Sequence, residues 1–404
     1  MKLIFTAFLF FFSLFSYSQD KQTTNIKKGK WNAKLQLNST HNLPFNIVVK
    51  KNRVHIINGE ETILLDLTTL KDDSLHAHFP YFDSELVFKS TKESLSGYFY
   101  NYAKGEGYKI PFTAKRGNLS RFSNVKKKGK SALIDGRWKV LFQPNTTFQY
   151  PALGLFKQKG NTVSGTFLTE TGDYRYLDGN VTTDSLMLSC FDGSHAFLFK
   201  AKIIGDSLYG HFLSGNHFES EWSATKNPNY ELVSPEEITY LKEGRKVEFG
   251  LRKLNGDSLM FPNKDYKNKV VIIQIMGTWC PNCLDESKYY KELYDQYHSQ
   301  GLEIIAVSYE NGKSFDDYVR NVTRLKTKLD LEFTFLIGGS ASKGLASKHF
   351  NMLNEVVSFP TSIFIGRDGE VKRVHTGFNG PGTGDYYLQY KQKTSSLLES
   401  LLKD

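Results

Sequence analysis

The sequence predicts a multidomain chain in which two all-β repeats, small barrels or sandwiches, precede an α/β domain. Three observations carry this reading. At 404 residues the chain is too long for one ordinary core. The stretch between about residues 29 and 226 echoes itself. Beyond about residue 245 the apolar pattern changes from short alternating runs to strand-like runs separated by helical ones.

The chain begins with Met1-Lys2, an uninterrupted apolar run LIFTAFLFFFSLF and the small residues Ser16 and Ser18. This is the anatomy of a secretory signal peptide, expected over 1–19 and cleaved near residue 18 or 19. The run is short for a membrane span, which needs about 20 apolar residues. No cysteine follows it, so a lipid anchor of the lipoprotein kind is not indicated.

Two β-rich repeats are expected at 29–118 and 136–226. GKW at Gly29–Trp31 returns as GRW at Gly136–Trp138, and SLSGYF at Ser94–Phe99 returns as SLYGHF at Ser207–Phe212. The offset drifts from about 107 to 113 residues, as short loop insertions would produce. Alternating segments such as ELVFK and AFLFK, punctuated by Gly, Asn and Asp, are the pattern of antiparallel hairpins. Residues 227–244 read as a polar linker with a short helix after Ser234, where Pro235 and two glutamates suit a first turn.

The α/β domain is expected over 245–404. VEFGLRKLNGDSLMF reads as a hairpin turning at Asn255-Gly256-Asp257, and KVVIIQIMG as a buried parallel strand. A helix follows over about 282–299. Then come the strand LEIIAVSYE, the helix FDDYVRNVTRLKTKL, the strand TFLIG and the helix SASKGLASKHF. A hairpin turning at Arg367-Asp368-Gly369 and a terminal helix close the chain.

Composition narrows the function. The chain is 40% hydrophobic and 23% charged, with 31 Phe and 22 Tyr, as in a folded, β-leaning protein. Its net charge of +10 is dispersed. The one tight basic run, Lys126–Lys130, lies beside Ser and Gly and reads as solvated linker, so no nucleic-acid partner is expected.

Only three cysteines occur, and two of them form GTWCPNC at a strand-to-helix junction. A zinc clip needs about four ligands, usually from two CxxC or CxxH pairs, and the C-terminal half offers no second pair. A structural disulfide would close a tiny loop, where stabilisation is smallest. A redox pair fits the local structure best. Pro281 suits the first helical turn, which puts Cys280 at a helix N-terminus, where free N–H groups and the dipole favour a thiolate. Cys283 lies one turn further in, placed to resolve a mixed disulfide formed by Cys280. About eighty residues later Pro360 follows Phe359 and opens a strand, reading either as a cis-proline facing the CxxC or as a trans edge-strand proline.

Here a resemblance can be named. KNKVVIIQIMGTWCPNC, EIIAVS, SFPTSIFIGRDGEV and TGFNGPGTG resemble the TlpA-like branch of exported thioredoxin-family thiol–disulfide oxidoreductases. The resemblance covers about two-fifths of the chain. It implies a thioredoxin-like fold and catalytic residues Cys280 and Cys283 forming a redox-active disulfide. It also implies that Glu286, three positions beyond Cys283, is a buried proton relay. Trp279, Pro281, Phe359 and Pro360 would then form the apolar rim that docks substrate. Two positions depart from the family pattern. Gln274 stands where cytosolic thioredoxins carry a buried aspartate, and Phe359 is bulkier than is usual before the proline.

The functional expectation is therefore an exported enzyme of a bacterial periplasm or cell envelope, a protein-disulfide reductase. Its partners would be disulfide-containing proteins and a membrane thiol electron donor, and no cofactor or metal is expected. An oxidase or isomerase would use the same pair. A ligand- or partner-binding β-protein with an accessory redox domain is the alternative from another class. Peroxiredoxin chemistry would want Pro-x-x-x-Thr-x-x-Cys, which neither Cys280 nor Cys283 has. Of the remaining candidates, Cys190 reads as a buried free thiol, Asp285 as a surface charge complementing the helix dipole, and His76 and His78 as surface histidines without an acidic partner. Oligomeric state is not legible.

Overall fold

The computed structural model describes residues 26–51, 53–69, 74–117, 120–122 and 130–403. The expected signal peptide and residues 126–129 of the basic run lie outside the described residues.

Eight strands form the first β-unit: β1 (Gly29–Gln36), β2 (Asn42–Lys50), β3 (Arg53–Asn58), β4 (Glu61–Thr69), β5 (Leu75–His78), β6 (Ser84–Ser90), β7 (Ser94–Asn101) and β8 (Lys109–Arg116). Each pairs antiparallel with the next, and β8 returns to β1, closing a barrel. Closure leaves no open edge for another chain to pair with. The second unit holds β9 (Gly136–Phe142), β10 (Tyr150–Lys159), β11 (Thr162–Thr169), β12 (Gly172–Asp173), β13 (Leu177–Val181), β14 (Ser185–Phe191), β15 (Ala196–Ile204), β16 (Ser207–Ser214) and β17 (Phe218–Lys226). Pairings β17–β9, β10–β11 and β11–β13 close a second ring of eight, with the two-residue β12 added beside β11. Barrels, not sandwiches, are thus the outcome for both repeats.

The repeated text does the same physical job twice. Trp31 and Trp138 are fully buried, and each indole N–H reaches back four residues to a carbonyl, Lys27 at 3.1 Å and Ile134 at 2.8 Å. A buried indole needs such a partner. The repeated glycines, Gly97 and Gly210, lie where neighbouring strands press together. A Cβ on either would sit 2.0 Å from a carbonyl oxygen, of Val87 or of Lys200. Leu186, Leu188 and Cys190 share the inner face of β14, and Cys190 is the expected buried free thiol.

The barrels are locked to one another. Phe191, at the end of β14, packs its ring on Phe45 and Phe99 of the first barrel at 4.7 and 4.8 Å. Its backbone exchanges two hydrogen bonds with the Asn58 side chain.

After α1 (Pro235–Ile238), capped by Ser234, the C-terminal part contains β18 (Phe249–Lys253), β19 (Ser258–Phe261), β20 (Val270–Met276), α2 (Pro281–Tyr297), β21 (Leu302–Glu310) and α3 (Phe315–Leu329). It continues with β22 (Thr334–Ser340), α4 (Lys343–His349), β23 (Thr361–Ile365), β24 (Val371–Thr376) and α5 (Asp385–Lys403). The sheet order is β19-β18-β22-β21-β20-β23-β24. Strand β20 is parallel to β21 and antiparallel to β23, and all seven of its residues are buried. A central strand covered on both faces reads as a continuous apolar run. The 227–244 stretch is packed down: Thr239 Oγ1 donates to Glu355 O at 3.1 Å, and Arg137 donates to Tyr230 O at 2.5 Å.

Gly210→Ala should destabilise the chain by about 1–3 kcal/mol, at the upper end because the clash is with backbone that cannot rotate away. Urea denaturation followed by tryptophan fluorescence measures this, and an unchanged midpoint would show that the strands can separate at that point.

Candidate active site

Strand β20 ends at Met276, and Gly277–Trp279 turn the chain into α2. Buried Glu310, at the end of β21, fixes this turn. Its carboxylate accepts the Thr278 N–H at 2.8 Å and the Thr278 hydroxyl at 2.6 Å. Trp279 donates its indole N–H to Tyr309 O at 2.9 Å. Cys280 is the N-cap residue of α2 and Pro281 its first helical residue. The Cys280 sulfur accepts the Cys283 N–H at 3.3 Å, the bond an N-cap side chain normally makes. It also approaches Phe359 O at 3.4 Å. Cys280 and Cys283 are both free and buried, Cys280 at 8% exposure and Cys283 at none. Burial pushes the Cys283 thiol well up, and the neighbouring Cys280 adds to this.

Opposite the pair, the Phe359–Pro360 peptide is cis, and β23 starts immediately after it. Phe359 stacks on Tyr309 at 5.5 Å and meets Trp279 edge-on at 6.0 Å. All seven candidate residues, Trp279, Cys280, Pro281, Cys283, Glu286, Phe359 and Pro360, therefore converge on one end of the sheet.

Glu286 is fully buried on α2. Four side chains donate to its carboxylate: Gln274 at 2.9 Å, Tyr290 and Ser362 at 3.1 Å, and Tyr390 at 3.3 Å. Burial raises its pKa to about 7 despite these donors, which favour the charged form. Gln274, the departure noted in the sequence, thus serves as one of Glu286's donors, and its Oε1 accepts from Ser287 at 3.2 Å.

Sequence reasoning missed the cover over this site. Asp285 is not a surface charge. It is buried and paired with Arg175, which stands in left-handed backbone between β12 and β13 of the second barrel. The same guanidinium pairs with Glu61 of the first barrel, lies 3.2 Å from Asp192, and donates to Pro281 O at 3.3 Å. Burial raises the Glu61 pKa and lifts Asp173 to about 6. Burial also pushes Asp192 upward, but His195 and Arg175 outweigh it and hold Asp192 at about 2. Around this hub, Ser194 donates to Trp279 O at 3.2 Å, Asn282 to Asp173 O at 3.4 Å, and Ser358 to Thr171 O at 3.1 Å. Gly172 permits the approach, since a Cβ there would lie 2.0 Å from the Asn282 amide nitrogen. The expected docking rim is therefore covered by the second barrel. No local pattern around Arg175 announces this role. Tyr290 was findable, lying four residues along the helix face from Glu286.

A strand order with β20 central, a CxxC capping α2 and a cis-proline opposite define the thioredoxin class of fold. The AhpC/TSA family profile matches residues 245–374. A thiol-disulfide oxidoreductase ResA of Bacillus cereus is 32% identical over 148 residues, 36% of this chain and 69% of that protein. The ResA of Halalkalibacterium halodurans is 32% identical over 133 residues, 32% of this chain. The chain spans 66% of that relative's length and 59% of a Bacillus thuringiensis ResA. StoA from Bacillus subtilis aligns with 37% of this chain and 98% of its own at 21% identity and a TM-score of 0.27. Through its C-terminal part the chain belongs to the thioredoxin-fold family of thiol–disulfide oxidoreductases.

Two measurements test this geometry. Arg175→Ala leaves buried carboxylates without their cation, a loss of about 3–5 kcal/mol. It should loosen the barrel and speed alkylation of Cys280 at least tenfold in the native protein, and an unchanged rate would mean that Arg175 does not hold the cover. Glu286 has a folded pKa of about 7 against an ordinary value of 4.5. Between these pH values the folded state keeps a proton that the unfolded chain releases, so this group's contribution to stability falls as pH rises, by about 3 kcal/mol in all. Glu286→Gln should flatten the stability–pH profile across that window, whatever its pH-independent cost, as measured by urea titration from pH 4 to 8.

Proposed function

We propose that the protein is an exported thiol–disulfide oxidoreductase that reduces disulfides of envelope proteins. Residues 245–404 carry the chemistry, and the β-units at 29–118 and 136–226 control access to it. The observation that carries the reading is the arrangement at the head of α2. Cys280 caps the helix with its sulfur on the Cys283 N–H, cis-Pro360 lies opposite, and Glu286 is buried three residues beyond Cys283.

In this reading the Cys280 thiolate attacks one sulfur of a substrate disulfide and expels the other as thiolate, leaving a mixed disulfide. Cys283 gives its proton to Glu286 and attacks the Cys280 sulfur. This releases the second substrate thiol and forms the Cys280–Cys283 disulfide. Two electrons pass to the substrate, and a membrane thiol donor restores the pair by the same exchange. A carboxylate with a pKa near 7 suits the proton transfer, because a base works best when its pKa lies near the operating pH. Tyr390, which donates to Glu286, also lines a cavity of about 740 Å³ between the second barrel and α5. Trp279, Pro281, Phe359 and Pro360 receive the substrate once the turn at Thr171–Asp173 moves aside.

Cys280→Ser should abolish disulfide exchange. Cys283→Ser should accumulate substrate as mixed disulfide on Cys280, visible on non-reducing gels from periplasmic extracts. If both variants exchange thiols at the wild-type rate, the reading fails. The potential against glutathione separates a reductase from an oxidase or isomerase, with a reductase more reducing than the glutathione pool.

A further inference from the structure

Away from the cysteine pair, the first barrel gathers a second constellation of chemistry-bearing side chains. His76 and His78 alternate outward on β5 while Leu75 and Ala77 point into the core. The register sets His78 directly opposite Glu85 of β6, and the alternation of that strand turns Glu85 outward on the same face. This is the acidic partner that sequence reading left the histidines without. One oxygen, Oε2, lies 2.8 Å from His76 Nδ1 and 3.2 Å from His78 Nδ1. The other oxygen, Oε1, accepts the Tyr102 hydroxyl at 2.5 Å. The two histidine nitrogens and the carboxylate oxygen all lie within 4.8 Å of one another, the one such group among the described residues.

We propose that His76, His78 and Glu85 form a binding site for a divalent transition-metal ion of the zinc class. Zinc bonds of about 2.0–2.2 Å in tetrahedral geometry put ligand atoms about 3.3 Å apart. The His78–Glu85 separation of 3.2 Å matches that, and the His76–Glu85 separation of 2.8 Å has to widen by about half an ångström to admit the ion. The outer contacts are those of a ligand set held in place. Tyr102 fixes the carboxylate, and Ser74 Oγ lies 3.3 Å from His76 Nε2, leaving Nδ1 of that ring to face the centre. Charge favours a cation as well. Glu85 is 5% exposed, and among the described residues no lysine or arginine pairs with it. Asp66, across from His78 on β4, is taken up by Arg53 at 3.2 Å. Two imidazoles with a single carboxylate suit zinc, copper or nickel and do not suit magnesium or calcium, which want several oxygens. His78 is exposed, so the ion reaches the site from solvent and keeps at least one position for water.

The test uses the full chain with Cys280 and Cys283 oxidised, so that their thiolates do not compete. Isothermal titration with zinc chloride should give one site per chain, and magnesium chloride should give none. His78→Ala, an exposed substitution that leaves the barrel core intact, should weaken zinc binding at least tenfold, with His76→Ala as an independent second variant. Cobalt(II) substitution should give the visible bands of a nitrogen–oxygen site without thiolate charge transfer. The proposal is overturned if zinc does not bind the wild type, or if it binds His78→Ala and His76→Ala as tightly as the wild type. Neither outcome depends on the redox reading.

Discussion

A single buried guanidinium sets the relation between the barrels and the cysteine pair. Arg175 meets Glu61 from the first barrel, Asp192 from its own and Asp285 from α2, with side-chain exposure of 4%. Charges withdrawn from water are costly, and only close opposite charges with further hydrogen bonds offset that cost. Any rotation of the barrels against the sheet would leave several carboxylates and one arginine uncompensated. The junction therefore favours one orientation sharply, and that orientation covers Cys280. The covered state of the site is an electrostatic consequence of the fold, carried by barrel residues far from the cysteines in sequence together with Asp285 beside them.

Beneath the cysteines the balance runs the other way. Glu286 receives four hydrogen bonds that favour its anion, yet burial keeps its pKa near neutrality. None of the four donors carries a formal positive charge, so nothing repays desolvation in full. Were Gln274 an aspartate, two buried carboxylates would face each other, and one would be held protonated. With an amide there, the proton chemistry is left to Glu286, and Tyr290, Ser362 and Tyr390 set its orientation. The hydroxyl of Tyr390 also meets that of Tyr290 at 3.2 Å, tying α5 to α2 at the level of the carboxylate.

The sequence by itself determined the local text. Two of its signals, Trp31 with Trp138 and Gly97 with Gly210, were legible as a repeat because each pair answers a purely local demand of a closed barrel. The element order of the C-terminal part followed from periodicity, since a buried central strand and amphipathic helices write different patterns. The N-cap position of Cys280 followed from Pro281 beside it. Only the tertiary structure decided which distant side chains meet. Asp285 looked like a helix-dipole charge and is an internal ion-pair partner, because Arg175 arrives from 110 positions away. Glu85 reaches two histidines only through the β5–β6 register. Patterns along a chain record how each residue relates to its own helix or strand. The partner of a buried charge is chosen by how those elements close on one another in space, and no spacing in the sequence encodes that closure.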